Sequence, residues 1–112
     1  MNDKKREVAF IDEKLKSSFD NLNRGKFEDQ RLHGFITQAI NDLKQMPNRG
    51  IRVPNQLIPK EYLHKYEITN LWKYNLPNAW RLLYTITGDE IRIVSVLLNW
   101  MNHKDYERLF GY

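Results

Sequence analysis

The apolar residues of this 112-residue chain change their spacing part-way along, from a helical period to a strand period. Through Phe27–Met46 they recur three and four residues apart, which predicts an amphipathic helix. After residue 70 they form three shorter runs, Leu71–Leu76, Trp80–Ile86 and Ile91–Leu98, which predict strands. The last run is nearly all apolar, as expected of a strand that is covered on both faces. The chain is therefore predicted to pack helices on a sheet, an α+β fold.

Shorter elements complete this prediction. Val8–Ile11 predicts an opening strand, and the apolar spacing over Ile11–Leu22 predicts a first helix that pairs with the second as a helical hairpin. The Pro-rich stretch 48–59 is expected to be a loop, followed by a single helical turn over Lys60–Lys65. Asn102 is placed to cap a short C-terminal helix.

Composition narrows the class of protein. The net charge is +4, from 18 Lys and Arg against 14 Asp and Glu, and cysteine is absent. A disulfide scaffold, a cysteine zinc site and a cysteine nucleophile are thereby excluded. No apolar run approaches the ~20 residues of a membrane span, and Met1–Arg6 leads into no signal-peptide core. We expect one soluble, cytoplasmic domain over residues 1–112, with affinity for an anionic partner, either nucleic acid or an acidic peptide.

The first hairpin loop decides which side chains share a face of the sheet. A two-residue loop would place Tyr74 opposite Arg81, whereas a three-residue loop over Pro77–Ala79 keeps the large aromatic residues together. We predict the three-residue loop. The apolar face then carries Trp72, Tyr74, Leu76, Trp80, Leu82, Tyr84 and Ile86, and the opposite face carries Lys73, Asn75, Arg81, Leu83 and Thr85.

For the second hairpin we predict a two-residue turn at Gly88-Asp89, with Ile86 opposite Ile91. This register brings Arg92 to the face of Lys73 and Arg81. The polar positions of that face then include three cations and no carboxylate, a charge pattern suited to a polyanion. The alternative is an ordinary solvated face, which antiparallel sheets commonly have.

Three segments carry a family resemblance. They are the aromatic-Lys strand Leu71–Leu76, the strand Ala79–Tyr84 with its Trp-Arg-Leu-Leu-Tyr run, and the His-x-x-Tyr segment His103–Tyr106. On these residues the chain resembles the RelE/ParE superfamily of bacterial and archaeal toxins, and its RelE-like mRNA interferase branch in particular. The resemblance implies an N-terminal strand and helical hairpin packed on a twisted antiparallel sheet, with a short C-terminal helix.

The resemblance also implies a function. Such a protein is the toxin of a type II toxin–antitoxin system, a ribosome-dependent endoribonuclease that cleaves mRNA by metal-independent acid/base chemistry without a cofactor. An acidic antitoxin is the implied protein partner, in a hetero-oligomeric complex. Carried over residue by residue, Lys73 matches a catalytic or phosphate-binding lysine, Arg81 the arginine that stabilises the scissile phosphate, and His103 and Tyr106 the acid/base positions. Asn75 stands where some members carry a second lysine.

Each of these residues also has a structural interpretation. His103 is then an exposed polar residue, and Tyr106 belongs to a packing stripe with Leu109 and Phe110. The three histidines show no ligand-like spacing, so no metal site is expected. Further candidates for RNA binding are Asn75, Arg92, Arg49, Arg52 and Lys60, although charges in such a loop are more often simply solvated.

Two other functions remain open at this point. One is a ParE-like toxin that inhibits DNA gyrase and has no nuclease activity. The other is a basic RNA-binding domain without catalysis. His103 and Tyr106 separate the preferred function from both, because a protein that acts by binding alone needs no acid/base pair.

Overall fold

A five-stranded sheet forms the centre of the computed structural model, which describes residues 4–111. Its strands are β1 (Lys5–Phe10), β2 (Ile51–Arg52), β3 (Trp72–Asn75), β4 (Trp80–Gly88) and β5 (Arg92–Asn102). In the order β1-β5-β4-β3-β2, neighbouring strands are antiparallel except β1 and β5, which are parallel. The α+β fold class is thereby confirmed, with a mixed sheet because β1 adds in parallel.

Four helices accompany the sheet within the described residues. They are α1 (Glu13–Leu22), α2 (Phe27–Gln45), α3 (Lys60–Tyr66) and α4 (His103–Phe110). The predicted N-cap of the last helix is confirmed, because the Asn102 side chain accepts a hydrogen bond from the Asp105 N–H at 2.9 Å. None of the helices in residues 4–111 combines the length and apolarity that a bilayer crossing requires. Residues 1–3, on which part of the leader-peptide expectation rests, lie outside the described chain.

The stretch after α2 is more ordered than the predicted loop. It contains two 3-10 turns, Pro47–Arg49 and Asn55–Leu57, and between them the strand β2, which the sequence did not indicate. With only two residues, β2 is too short for an alternating pattern to appear.

The predicted register of the β3–β4 hairpin is confirmed. The Leu76 N–H donates to the Trp80 carbonyl at 2.9 Å, closing a three-residue loop over Pro77–Ala79. Asn75 then lies directly opposite Arg81, and Lys73 opposite Leu83. These four side chains therefore share one face of the sheet, as predicted.

The predicted register of the β4–β5 hairpin is wrong. Gly88 pairs with Ile93, and Ile86 faces Ser95 instead of Ile91. The connection is longer because the Asp89 carboxylate accepts hydrogen bonds from the N–H groups of Ile91 at 2.8 Å and Arg92 at 3.0 Å. Such a local side-chain to backbone turn competes with a tight two-residue turn.

This register moves Arg92 away from the predicted cationic group. Arg81 pairs with Met101, and Arg92 lies nine positions earlier on β5, roughly 30 Å away at about 3.3 Å per residue. The Arg92 guanidinium is instead 3.6 Å from the Glu7 carboxylate on β1. Arg92 does lie on the face of Lys73 and Arg81, because it stands two positions before Val94, the partner of Thr87. It is too far along β5, however, to form one cationic group with them.

Apolar residues cover both faces of the sheet. The hairpin-side core, where α2 and its apolar neighbours pack, comprises Leu32, Ile36, Ala39, Leu43, Leu76, Leu82, Tyr84 and Leu97. The site-side core, formed with α3, α4 and the 53–58 segment, comprises Val53, Ile58, Tyr62, Leu71, Leu83, Leu98, Met101 and Tyr106. A β-bulge between Leu83 and Tyr84 of β4 inserts Leu98 into β5, so the consecutive residues Leu97 and Leu98 belong to different cores.

Candidate functional site

Arg81 projects from β4 towards the first turn of α4. Its Nη2 lies 3.3 Å from His103 Nδ1, and its Nη1 donates to the Trp80 carbonyl at 3.1 Å. The Nε atom is buried and has no hydrogen-bond partner among residues 4–111. The strand and these two contacts fix the guanidinium in place. They use two of its five N–H donors, so three, including the buried Nε–H, have no hydrogen bond within the described residues.

His103 lies between a cation and a carboxylate. Its Nε2 is 3.2 Å from Glu107 Oε2, one helical turn further along α4, and its side chain is about half exposed at 49%. Because a guanidinium only donates, Nδ1 must accept from Arg81, and the hydrogen-bond network then assigns the ring hydrogen to Nε2, facing Glu107. Sequence reasoning missed Glu107, although the i, i+4 spacing from His103 was available as a signal.

Tyr106 forms the floor beneath the two predicted cations. The Lys73 Nζ lies 5.1 Å from the centre of the Tyr106 ring, and the Arg81 Cζ lies 5.7 Å from it. The ring itself is buried in the site-side core and packs 4.5 Å from the Phe110 ring. The same aromatic ring attracts both cations and so offsets part of their mutual repulsion. This placement favours the packing interpretation of Tyr106.

A shallow cleft continues the site along the edge of β3. It has a volume of about 200 Å³ and is lined by Arg49, Gly50, Ile51, Lys73, Tyr74 and Asn75. The structure thus brings two of the further candidates, Arg49 and Asn75, to Lys73. The other three do not line this cleft. Arg52 lies opposite Trp72, away from the Lys73 face, Lys60 begins α3, and Arg92 lies at the far end of β5.

A tyrosine–aspartate pair lies beside the cleft. The Tyr74 hydroxyl donates a hydrogen bond to the Asp42 carboxylate of α2. This bond lowers the pKa of Asp42, with smaller contributions from Gln38 and from the nearby Arg49 charge. Burial, reinforced by the Asp42 carboxylate, raises the pKa of Tyr74 to about 12. Asp42 was not among the predicted site residues, because on the sequence it reads as a solvated helix position.

Unlike the cleft beside β3, a larger groove on the described surface carries carboxylates among its cations. It has a volume of about 510 Å³ and lies between α3, α4 and β5, where Glu61 and Asp105 balance Lys65 and Arg108. Within residues 4–111, no three His, Asp or Glu side chains are grouped so that they could hold a metal ion. In contrast to this groove of mixed charge, the predicted site brings two cations, Arg81 and Lys73, to one aromatic ring.

The sequence matches the family described as the ParE toxin of the type II toxin–antitoxin system, parDE, over residues 11–99. The chain belongs to this family. It is therefore a toxin of the RelE/ParE superfamily, as the resemblance implied, and an antitoxin is the partner that the family implies. No curated protein and no solved structure matches the chain. The matched range of this ParE-family toxin includes Lys73 and Arg81 and ends before α4, which carries His103 and Glu107.

Proposed function

We propose that this ParE-family toxin is an endoribonuclease that cuts mRNA on the ribosome, in the cytoplasm, by acid/base chemistry of its own side chains. The observation that carries the proposal is the contact between the Arg81 guanidinium and His103 Nδ1, beside a second cation on the same aromatic ring. Cleavage of RNA by its own 2′-hydroxyl needs a base, a cationic partner for the phosphate and a proton for the leaving oxygen.

His103 is the proposed base. In the free toxin the lone pair of Nδ1 accepts a hydrogen bond from Arg81. A phosphate oxygen is the stronger acceptor, because its bond to a guanidinium is charge-assisted. Binding of the scissile phosphate therefore draws the Arg81 N–H away and frees Nδ1 to accept the 2′-hydroxyl proton. Glu107 keeps the Nε2 hydrogen in place and favours the imidazolium that forms.

Arg81 and Lys73 complete the reaction. As the 2′-oxygen bonds to phosphorus, negative charge increases on the phosphate oxygens, and Arg81 stabilises this charge from a rigid strand. The bond from phosphorus to the 5′-oxygen then breaks, and the Lys73 ammonium gives that oxygen a proton. The products are a 2′,3′-cyclic phosphate and a free 5′-hydroxyl. The centre of the Tyr106 ring lies 5.1 Å from the Lys73 Nζ and 5.7 Å from the Arg81 Cζ, which supports a role for it in holding them together during these steps.

The same surface explains how an antitoxin would inhibit the toxin. An acidic peptide that lies over Arg81 and Lys73 occupies the positions of the RNA phosphates and prevents the messenger from binding.

Purified toxin added to translating ribosomes tests the proposal, with cut sites mapped by primer extension. We expect discrete cuts by the wild type, and rates lower by about 10²–10⁴ in His103→Ala and by about 10²–10³ in Arg81→Ala. Arg92→Ala is the matched control, because it removes an arginine from the far end of the sheet. Cutting that persists undiminished in both site variants would contradict the assigned site.

A second candidate is a ParE-like toxin that inhibits DNA gyrase by binding alone. It is favoured by the extent of the family match, which ends at residue 99 and so leaves out His103. In that case the wild type cuts no messenger, and His103→Ala inhibits gyrase supercoiling as strongly as the wild type. Binding of RNA without cutting and without gyrase inhibition would indicate an RNA-binding domain.

A further inference from the structure

The Tyr84 hydroxyl fixes the loop that follows α2. This side chain belongs to the hairpin-side core and is fully buried, but its hydroxyl reaches the loop. The hydroxyl donates to the Pro47 carbonyl at 2.7 Å and accepts from the Gly50 N–H at 3.0 Å. Burial raises the pKa of Tyr84 to about 12, so the hydroxyl keeps the proton that it donates. One side chain thus anchors the loop at two backbone positions.

Gly50 fits this anchor because it has no side chain. A Cβ added at Gly50 would lie 2.5 Å from the Lys73 carbonyl oxygen and 2.7 Å from the Tyr84 hydroxyl. The loop backbone therefore lies directly against β3, an approach that only glycine permits. The next residue, Ile51, pairs with Lys73 in the sheet.

Arg49 lies between the two anchored positions. Its side chain is exposed, and its guanidinium forms no hydrogen bond or ion pair within the described chain. Its positive charge is nevertheless close enough to help lower the pKa of Asp42. Fixing the backbone on either side of Arg49 reduces the conformational freedom that this cation would lose on binding a ligand.

We propose that the Tyr84 hydroxyl positions Arg49 so that Arg49 and Asn75, beside Lys73, bind a second backbone phosphate of the RNA, next to the one held by Arg81. The inference rests on the proposed nuclease function and adds a phosphate subsite to the same surface. None of the described residues lining the cleft carries a carboxylate, and two of them carry cations. Asn75 lies directly opposite Arg81, about 5 Å away across the strands, so the cleft adjoins the position proposed for the scissile phosphate.

Binding of a single-stranded RNA oligonucleotide, measured by fluorescence anisotropy over a range of salt concentrations, tests the subsite. Each lost phosphate contact is expected to reduce the slope of log affinity against log salt by about 0.7 for single-stranded RNA. We expect this reduction for Arg49→Ala. Tyr84→Phe, which keeps the ring, is expected to give a partial reduction. The double variant is expected to lose no more than Arg49→Ala, because the hydroxyl acts through Arg49.

Tyr62→Phe is the matched control. Tyr62 is another buried tyrosine, whose hydroxyl accepts from the Asn99 side chain at 3.3 Å, and its pKa is also raised by burial to about 12. It lies in the site-side core, away from the Arg49 loop. The Tyr62→Phe variant is expected to bind RNA with the affinity and the salt slope of the wild type. Loss of an unrelated buried hydroxyl is thereby separated from loss of the loop anchor.

Two further measurements distinguish positioning from general damage. In Tyr84→Phe the Gly50 amide should exchange its hydrogen faster, which reports the anchor without any RNA. In the ribosome assay the variant should raise KM and leave kcat near the wild-type value, because Arg49 does not touch the reacting atoms. A wild-type salt slope in Tyr84→Phe, or additive losses in the double variant, would overturn the inference while the nuclease activity stands. A wild type that binds no RNA overturns both.

Discussion

The two faces of the sheet are built differently, although they share β4 and β5. The hairpin side is covered by α2, a helix of 19 residues, together with α1. The site side is covered by α3 and α4, of seven and eight residues, and by an irregular segment. Helices this short are marginal by themselves and depend on packing. We infer that the hairpin side supplies most of the stability, and that the site side contributes the functional surface on a thinner layer.

Leu97 and Leu98 allow the largest test of this difference, because consecutive residues point into the two cores and each is almost fully buried. Replacing either by alanine should cost about 2–5 kcal/mol in the free energy of unfolding. Leu97→Ala is expected near the upper end, since long helices relax little into a cavity, and Leu98→Ala near the lower end. Urea unfolding measures both. Equal losses would show that the two layers are equally rigid.

Removing a helix cap is expected to cost less stability, but the two sides of the sheet should differ more clearly in their effect on activity. Asn102 caps α4 on the site side, and Asp12 caps α1 on the hairpin side through the Leu15 N–H at 2.8 Å. Either change to alanine should lower stability by about 1 kcal/mol. Only Asn102→Ala should also lower the proposed nuclease activity, because the next residue is His103. If Asp12→Ala lowers activity as much, the site depends on the whole fold and not on its own layer.

Tyr106→Leu separates the packing role of the ring from its attraction for cations. Leucine keeps an apolar side chain in the site-side core but leaves part of the ring's volume empty, so we expect a stability loss of about 1–2 kcal/mol. Each exposed cation–π contact is worth about 0.5–1 kcal/mol, so Lys73 and Arg81 should become less fixed and cleavage should slow severalfold. Cleavage rates at saturating messenger measure this. An unchanged rate would mean that the strand alone holds the cations.

The smallest expected effect concerns acid stability on the hairpin side. The folded protein lowers the pKa of Asp42 below its usual 3.8 through the Tyr74 hydrogen bond. A depressed carboxyl pKa contributes stability above pH 3.8, and this contribution is lost as the pH falls through the lower folded value. Between pH 5 and pH 3 the free energy of unfolding should therefore fall less in Asp42→Asn than in the wild type, as measured by urea unfolding. An identical pH dependence in both proteins would contradict the pairing.

The sequence predicted the site face better than it predicted what covers that face. The β3–β4 loop could be identified because a shift of one residue would have mixed Arg81 with aromatic residues, and the structure confirms the grouping of Lys73, Asn75 and Arg81. The longer β4–β5 connection was missed because it depends on the Asp89 carboxylate bonding to two backbone N–H groups. Such a turn leaves no periodic signal, and Arg92 was misplaced with it.

Contacts between segments distant in sequence were the other limit. Tyr84 was assigned correctly to the aromatic face, but its hydroxyl reaches Pro47 and Gly50, more than thirty positions away. A single sequence contains no pattern that links those positions. Glu107 is different, because its i, i+4 spacing from His103 is visible in the sequence. A contact between these two side chains could therefore have been predicted. The helices and strands were thus predicted more accurately than the contacts between distant segments.

The parallel pairing of β1 with β5 has a consequence for biosynthesis. A ribosome delivers the chain from the amino end, yet β1 finds its neighbour only after Arg92–Asn102 has been made. The histidine of the proposed site follows immediately afterwards. We therefore expect no working toxin on a nascent chain until α4 has emerged from the ribosome.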